Sequence, residues 1–308
     1  MSVYVTGDTH GGFQRLGMKY FPEQKKMNRE DMVIIAGDFG GLWGGTPAEK
    51  YWLDWLEDKP FTTAFLDGNH ENFAMLNALP ERLWHGGRIH EVRPHVLHLM
   101  RGQVFDIEGY TFFTMGGASS HDIQDGILDP EEPGFEERYW RMRRARAMFR
   151  VKGVSWWTEE LPSDEEYEEA RKNLDAHDWA VDYILTHCAP TSITQKIIPH
   201  ARADRLTDFL EEVKNRARYH YWLFGHLHDN QAVDKKHIPL SCFNIVSIKK
   251  SISQRRPRLS RGAAYPSLKL NRTSYMVGGS RKGKCGMFFR VSLCGVLYQG
   301  GYAGKEQL

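Results

Sequence analysis

The sequence predicts an α/β fold in which mixed β-sheets pack as a sandwich. Two observations predict it. Short apolar runs alternate with capped helical segments along the chain, and the middle carries closely spaced runs joined by glycine turns, as antiparallel hairpins are. The 308 residues suit one large α/β domain, or a domain plus a tail, with room for a substantial core.

The elements follow in order. The runs Val3–Thr6, Met32–Ala36, Thr63–Leu66, Val181–Thr186 and Tyr221–Phe224 are short and rich in Val, Ile, Phe and Tyr, and read as buried strands. Thr46-Pro47-Ala48-Glu49 combines an N-cap, a first-turn proline and a capping-box Glu, so a helix runs from there to about Asp58, with Tyr51, Trp52, Trp55 and Leu56 for packing. Glu71 to Leu79 reads as a second helix, stopped by Pro80. Val96–Met100, Val104–Ile107 and Tyr110–Met115 read as consecutive antiparallel strands, turned at Arg101-Gly102 and Glu108-Gly109. Ser163-Asp164-Glu165-Glu166 is a second capping box, opening a helix to about Ala176. Asp204 to Ala217 reads as the last long helix, and Cys242–Ile248 as the last strand. There is no internal repeat.

The net charge of +2 hides an asymmetry. Residues 249–308 hold 13 Lys and Arg against one acidic residue, while residues 1–248 hold 28 basic and 38 acidic ones. This divides the chain into an acidic body, 1–248, and a basic C-terminal extension, 249–308, which offers contact to a polyanion. Lys249–Arg261 is basic and weakly patterned; Met287–Val291 and Leu293–Tyr298 are apolar enough for strands. No run of about 18 apolar residues and no basic-apolar leader before Val3 is present, so the expectation is a cytoplasmic protein without a membrane partner. Cys188, Cys242, Cys285 and Cys294 lack the spacing of a metal site or disulfide framework and read as free thiols.

Four motifs carry the chemistry: Gly7-Asp8-Thr9-His10, Gly37-Asp38, Gly68-Asn69-His70-Glu71 and Gly225-His226-Leu227-His228, with His187 alone before the last. Each follows one of the apolar runs, at the strand end where α/β sheets open ligand crevices. Singly they are weak. Together they supply carboxylates, imidazoles and one amide oxygen without a thiolate, a donor set suited to two ions of the Mn, Fe or Zn type. Two such ions about 3.5–4 Å apart clamp a phosphoryl group and make hydroxide from water.

The combined set resembles the calcineurin-like metallophosphoesterase superfamily, over residues 1 to about 248. The resemblance implies two β-sheets packed together with helices outside. It implies one divalent ion held by Asp8, His10, Asp38 and His228, and a second held by Asp38, Asn69, His187 and His226, with Asp38 bridging. It also implies that His70 protonates the leaving oxygen after attack by the metal-bridged hydroxide. A second Asp common in the family, three residues after Asp38, is here Gly41, which leaves His70 to lean on Glu71, on Asp67 or on nothing. The phosphoprotein phosphatase branch carries an Arg just before Gly-Asn-His-Glu, where this chain has Asp67, so small phosphoesters are the expected substrates. The alternatives are a phosphodiesterase or nuclease acting on nucleotides or nucleic acid, and a non-catalytic metal-site scaffold for protein binding.

Four further residues are candidates for substrate contact. Trp43 follows Asp38 in a glycine-rich segment and could stack a base or be a packed loop residue. His121 follows a strand. Arg141 and Arg144 lie in the basic segment Phe135–Lys152, which is either a solvated helix paired with Glu131, Glu132, Glu136 and Glu137 or a lid whose arginines reach the phosphate.

Overall fold

The computed structural model describes residues 2–229, 231–241 and 244–248. The expectations for the extension, 249–308, lie outside the described residues. In chain order the strands are β1 (Val3–Thr6), β2 (Met32–Ile35), β3 (Thr62–Phe65), β4 (Glu81–Trp84), β5 (Gly87–Arg93), β6 (Val96–Leu99), β7 (Gln103–Ile107), β8 (Tyr110–Met115), β9 (Ile127–Leu128), β10 (Arg150–Val151), β11 (Tyr183–Thr186), β12 (Tyr221–Phe224), β13 (His237–Pro239) and β14 (Ile245–Ile248). The helices are α1 (Pro47–Glu57), α2 (Phe73–Leu76), α3 (Phe135–Ala145), α4 (Asp164–Ala176), α5 (Thr191–Ile197) and α6 (Arg205–Arg216).

Two mixed sheets form the sandwich. The first has seven strands in the order β14-β1-β2-β3-β6-β5-β4, and the second has five, β13-β12-β11-β8-β7. β1, β2, β3 and β6 are parallel, as are β8, β11, β12 and β13. Antiparallel strands close the edges: β14 on β1, the β5-β4 hairpin on β6, and β7 on β8. The central strands read as unbroken apolar runs because both of their faces are covered. Val3, Val5, Ile34, Ala64 and Leu97 meet Phe105, Phe112, Leu185 and Leu223 of the other sheet in the interior. Val33, Ile35 and Phe65 face outward, onto Leu53 and Leu56 of α1. Phe113, Ile184, Trp222 and Phe224 face outward onto Leu174 of α4 and Leu206, Leu210 and Val213 of α6. Both capping signals on α4 operate: Ser163 accepts from the Glu166 N–H, and Glu166 accepts from the Ser163 N–H.

Several expectations change. Val96–Met100 and Val104–Ile107 do not pair; β6 and β7 belong to different sheets, and Arg101-Gly102 is the crossover between them. The β4-β5 hairpin has no counterpart among the expected elements. Its two-residue turn, His85-Gly86, takes positive φ at both positions, as the twist of a tight hairpin requires. The helix expected over Glu71 to Leu79 shrinks to one turn, α2. Asn72 caps it through the Met75 N–H, and Glu71 is turned inward to accept from the Phe39 N–H at 2.7 Å. Glu49 does not close the box on Thr46; its carboxylate accepts from the N–H groups of Trp43, Gly44 and Gly45 and so ties down the loop before α1.

Arg101 explains the crossover. Its Nε and Nη2 donate to Asp67 Oδ2 at 2.8 and 2.6 Å, Nη1 donates to Glu166, and Nη2 also reaches the Glu159 carbonyl. One guanidinium thus joins the end of β3 in the first sheet to α4 on the second. His98 Nε2 meets the other Asp67 oxygen at 3.1 Å. Burial alone would raise the Asp67 carboxyl, but Arg101 and His98 outweigh it and hold it well below the usual carboxylate range.

Removing one partner of such a pair leaves the other charged and buried. Arg101→Met is therefore expected to cost about 3–5 kcal/mol in urea denaturation. A carboxyl depressed by folding contributes stability above its unfolded pKa and loses it as pH falls. The wild-type and Arg101→Met midpoints should accordingly converge as pH drops below roughly 4.

Candidate metal centre

Register places the candidate donors along one edge of the sandwich. Thr6, Ile35 and Phe65 end β1, β2 and β3, and Met115, Thr186 and Phe224 end β8, β11 and β12. Because each set is parallel, the loops carrying Asp8, Asp38 and Asn69 leave the first sheet side by side. Those carrying His187, His226 and His228 leave the second in the same way.

The donors converge. Asp8, His10 and His228 offer ligand atoms within 4.8 Å of one another, and so do Asp8, Asp38 and His187. Asp38 lies between histidines: Oδ2 is 3.7 Å from His10 Nε2, and Oδ1 is 3.4 Å from His187 Nε2. Asp8 Oδ2 is 3.4 Å from His228 Nε2 and 3.9 Å from His10 Nε2. Asn69 Oδ1 is 3.4 Å from His187 Nε2. Its amide is oriented from behind, since Nδ2 donates to Ser120 Oγ, which in turn donates to Glu160. His226 stands differently. Its backbone N–H donates to Asp8, but its ring Nε2 lies 2.8 Å from His121 Nε2 and its ring centre 5.0 Å from that of His187.

The backbone is strained where the donors sit. Nine non-glycine residues among those described have positive φ, and four of them are His10, Asp38, His226 and His228. Left-handed backbone costs of order 1–3 kcal/mol per residue and persists where the surroundings impose it, often at functional sites. The motif glycines make the close approach sterically feasible. A Cβ on Gly68 would lie 2.0 Å from Asp38 Oδ1, one on Gly225 2.2 Å from Asp8 Oδ1, and one on Gly37, which has φ +94°, 2.0 Å from His187 Nδ1.

The electrostatics suit cations. Asp8 and Asp38 are almost wholly buried. Burial would raise the Asp38 carboxyl, yet His187, His70 and His10 hold it well below its usual range. Burial would lower His187, yet Asp38 and Asp8 raise it to about 10. The imidazolium proton there occupies the position of positive charge that a metal ion would take over, and binding would release it. His187 Nδ1 faces the Ala36 carbonyl at 2.8 Å, leaving Nε2 for the ion. His228 Nδ1 is buried with no hydrogen-bond partner among the described residues, so its ring is not committed elsewhere. The donor set fits divalent cations.

His70 leans on neither residue named from the sequence. Glu71 is committed to Phe39, and Asp67 to Arg101 and His98. A Cβ at Gly41 would lie 2.4 Å from the Phe39 ring, which is stacked on Phe65, so this corner is apolar and leaves no place for the missing carboxylate. Arg150 takes the position instead. Its Nη2 lies 3.1 Å from His70 Nδ1, and Asp122 grips the same guanidinium through both oxygens. The His70 backbone N–H donates to Asp38 at 2.9 Å. Burial, and then Arg150 against the pull of Asp38, lowers His70 to about 4. Sequence reasoning missed Arg150 and Asp122 as site residues. The available signal was that Arg150 stands between Phe149 and Val151, unlike the arginines before it.

The remaining candidates are dispersed. Trp43 packs edge-on against Trp157 at 5.5 Å on the margin of the core, and its carbonyl accepts from Asn72. His121 is at the site, against His226. Arg141 and Arg144 are exposed on α3. Of the carboxylates proposed to neutralise that segment, Glu132 pairs with Arg138, and no ion pair joins Arg141, Arg143, Arg144 or Arg146 to another described residue. Cys188 is a buried free thiol, raised by burial; the other three cysteines lie outside the described residues. No helix among the described residues is long and apolar enough to cross a membrane.

Gly37→Ala would push a methyl into His187 at a left-handed position. A loss of at least ~1 kcal/mol in urea denaturation is expected, with reduced metal uptake measured by elemental analysis.

No curated protein gives a significant match to the chain. A profile of the calcineurin-like phosphoesterases matches residues 1–230, three quarters of the sequence, including every candidate ligand. With that match, a two-sheet sandwich flanked by helices, and clustered metal-ligand groups at its strand ends, the chain belongs to the calcineurin-like phosphoesterase family and is a hydrolase of phosphoric esters.

Proposed function

We propose that the protein hydrolyses phosphoesters with two divalent cations, one held by Asp8, His10, Asp38 and His228 and the other by Asp38, Asn69, His187 and His226. The observation that carries this reading is Asp38, whose two oxygens each face a different histidine, one from each proposed ligand set. To join the second set, His226 would give up its contact with His121. The mixture of imidazole, carboxylate and amide donors suits manganese, iron or zinc. Such cations polarise phosphoryl oxygens and lower the pKa of water towards neutrality.

The chain's own groups do the rest. Arg150 can only donate, so the His70 Nδ1 it faces accepts and the proton of the neutral ring lies on Nε2. In this reading His70 acts on the departing oxygen as a neutral N–H donor, a narrower role than that of an imidazolium acid. Asp122 holds Arg150, and Arg150 holds His70, so two residues from separate segments set the ring of a third. Asp67, where the phosphoprotein phosphatase branch has an arginine, is consumed by Arg101, which supports small phosphoesters or diesters over phosphoproteins.

Asp38→Asn is expected to lose at least one metal per chain and nearly all activity on a nitrophenyl phosphoester with added Mn. Two retained metals with intact turnover would overturn the bridge. His70→Ala should keep both metals. Its rate should drop roughly 10²–10³-fold on an alkyl ester, as for loss of one donor to a developing oxyanion, and much less on a nitrophenyl ester, whose leaving group needs little help. Equal losses on both esters would remove His70 from the leaving-group side.

A further inference from the structure

Helix α3 has no account in the core. None of its 11 residues is buried. Its inner side, through Phe135 and Tyr139, rests on the segment that follows: Tyr139 meets Phe149 edge-on at 5.7 Å. Phe149 is adjacent to Arg150, the residue on His70. The outer side carries Trp140, which is 55% exposed, with Arg141 and Arg144 beside it, while Arg143, four residues past Tyr139, is exposed at the end of the inner row. Glu136 and Glu137 lie in the first turn, so the charge divides along the axis, acidic first and basic last. The helix dipole explains this order for Arg143 and Arg144. It does not explain an exposed tryptophan among them. Nor does it explain Arg146, which occupies the left-handed C-cap at φ 55°, a position that favours glycine. None of these four arginines has an ion pair among the described residues.

We infer that the outer face of α3 binds single-stranded nucleic acid and delivers it to the phosphoester site. Arg141, Arg143, Arg144 and Arg146 neutralise backbone phosphates, and Trp140 stacks on a base. The inference rests on the function proposed above and names its substrate class, an oligonucleotide whose diester bonds are the reacting groups. Charge favours this occupant over others. The chain's own extension, 249–308, is strongly basic and would be repelled. A membrane is less well matched, because the outer face offers one large apolar side chain and no apolar stripe to insert. A nucleic-acid strand supplies both repeated phosphates and π-faces.

The test uses the full chain. Binding of a fluorescein-labelled oligothymidylate to EDTA-treated protein is followed by anisotropy across a salt series. Arg141→Ala/Arg143→Ala/Arg144→Ala is expected to weaken binding by tenfold or more and to flatten the log–log salt slope by about 2, at roughly 0.7 per lost phosphate contact. The corresponding triple lysine variant should keep the slope. Trp140→Ala should weaken binding roughly tenfold with the slope unchanged. With Mn restored, the ratio of oligonucleotide to nitrophenyl-diester turnover should fall in the triple alanine variant. Unchanged binding and slope in that variant would overturn the inference and assign any nucleic-acid affinity to the basic extension. Capture by phosphatidylserine vesicles that depends on these arginines, without oligonucleotide binding, would overturn it in favour of a membrane. If the wild-type protein hydrolyses no ester with Mn but binds oligonucleotide through α3, the proposed function fails and the binding surface stands.

Discussion

Two carboxylates, Asp8 and Asp38, are buried at adjacent strand ends, and the rest of the structure is arranged around accommodating them there. Isolated charges in such a place would be very costly. The fold meets that cost by convergence: both sheets end their parallel strands on the same edge, and the loops after β1, β3, β11 and β12 bring imidazoles and an amide near the two acids. The left-handed backbone at His10, Asp38, His226 and His228 is the local consequence, since tight loops must turn donors back over the strands that carry them. The motif glycines have the same origin, because a side chain at Gly68 or Gly225 would occupy the space of an acid from another motif.

A second charged centre sits behind the first and has a different purpose. Asp67, Arg101 and His98 form a hydrogen-bonded group at the point where the chain crosses between sheets. It anchors the start of the Gly68-Asn69-His70 loop to α4 through Glu166. The position that holds a phosphate-gripping arginine in one branch of the family is here a structural carboxylate. The cation closest to His70 comes instead from β10, a two-stranded appendage outside both main sheets.

That exchange bears on substrate choice. Arg150 is buried and clasped by Asp122, so it fixes geometry. Arg141, Arg143 and Arg144 of α3, a few residues earlier, are exposed and have no ion pair among the described residues, while Arg138 is held by Glu132.

The central strands, and the donor motifs at their ends, were legible in the sequence because their signals are local. Val3–Thr6 and Tyr221–Phe224 are apolar runs ended by glycine, and the donors follow at once. The caps of α4 and α6 are local as well: Ser163 and Asp204 each bind a backbone N–H three residues on. What sequence could not decide depended on residues far apart in the chain. Whether β6 and β7 formed a hairpin or a crossover turned on Arg101 finding Asp67, 34 residues earlier. Whether Glu71 continued a helix turned on the Phe39 N–H, and the partner of His70 turned on Arg150, 80 residues away. Residue types and short spacings set which atoms can bind a metal or cap a helix. Only the packed tertiary structure decides which buried charge meets which, because each one must find its compensating partner wherever the fold brings it.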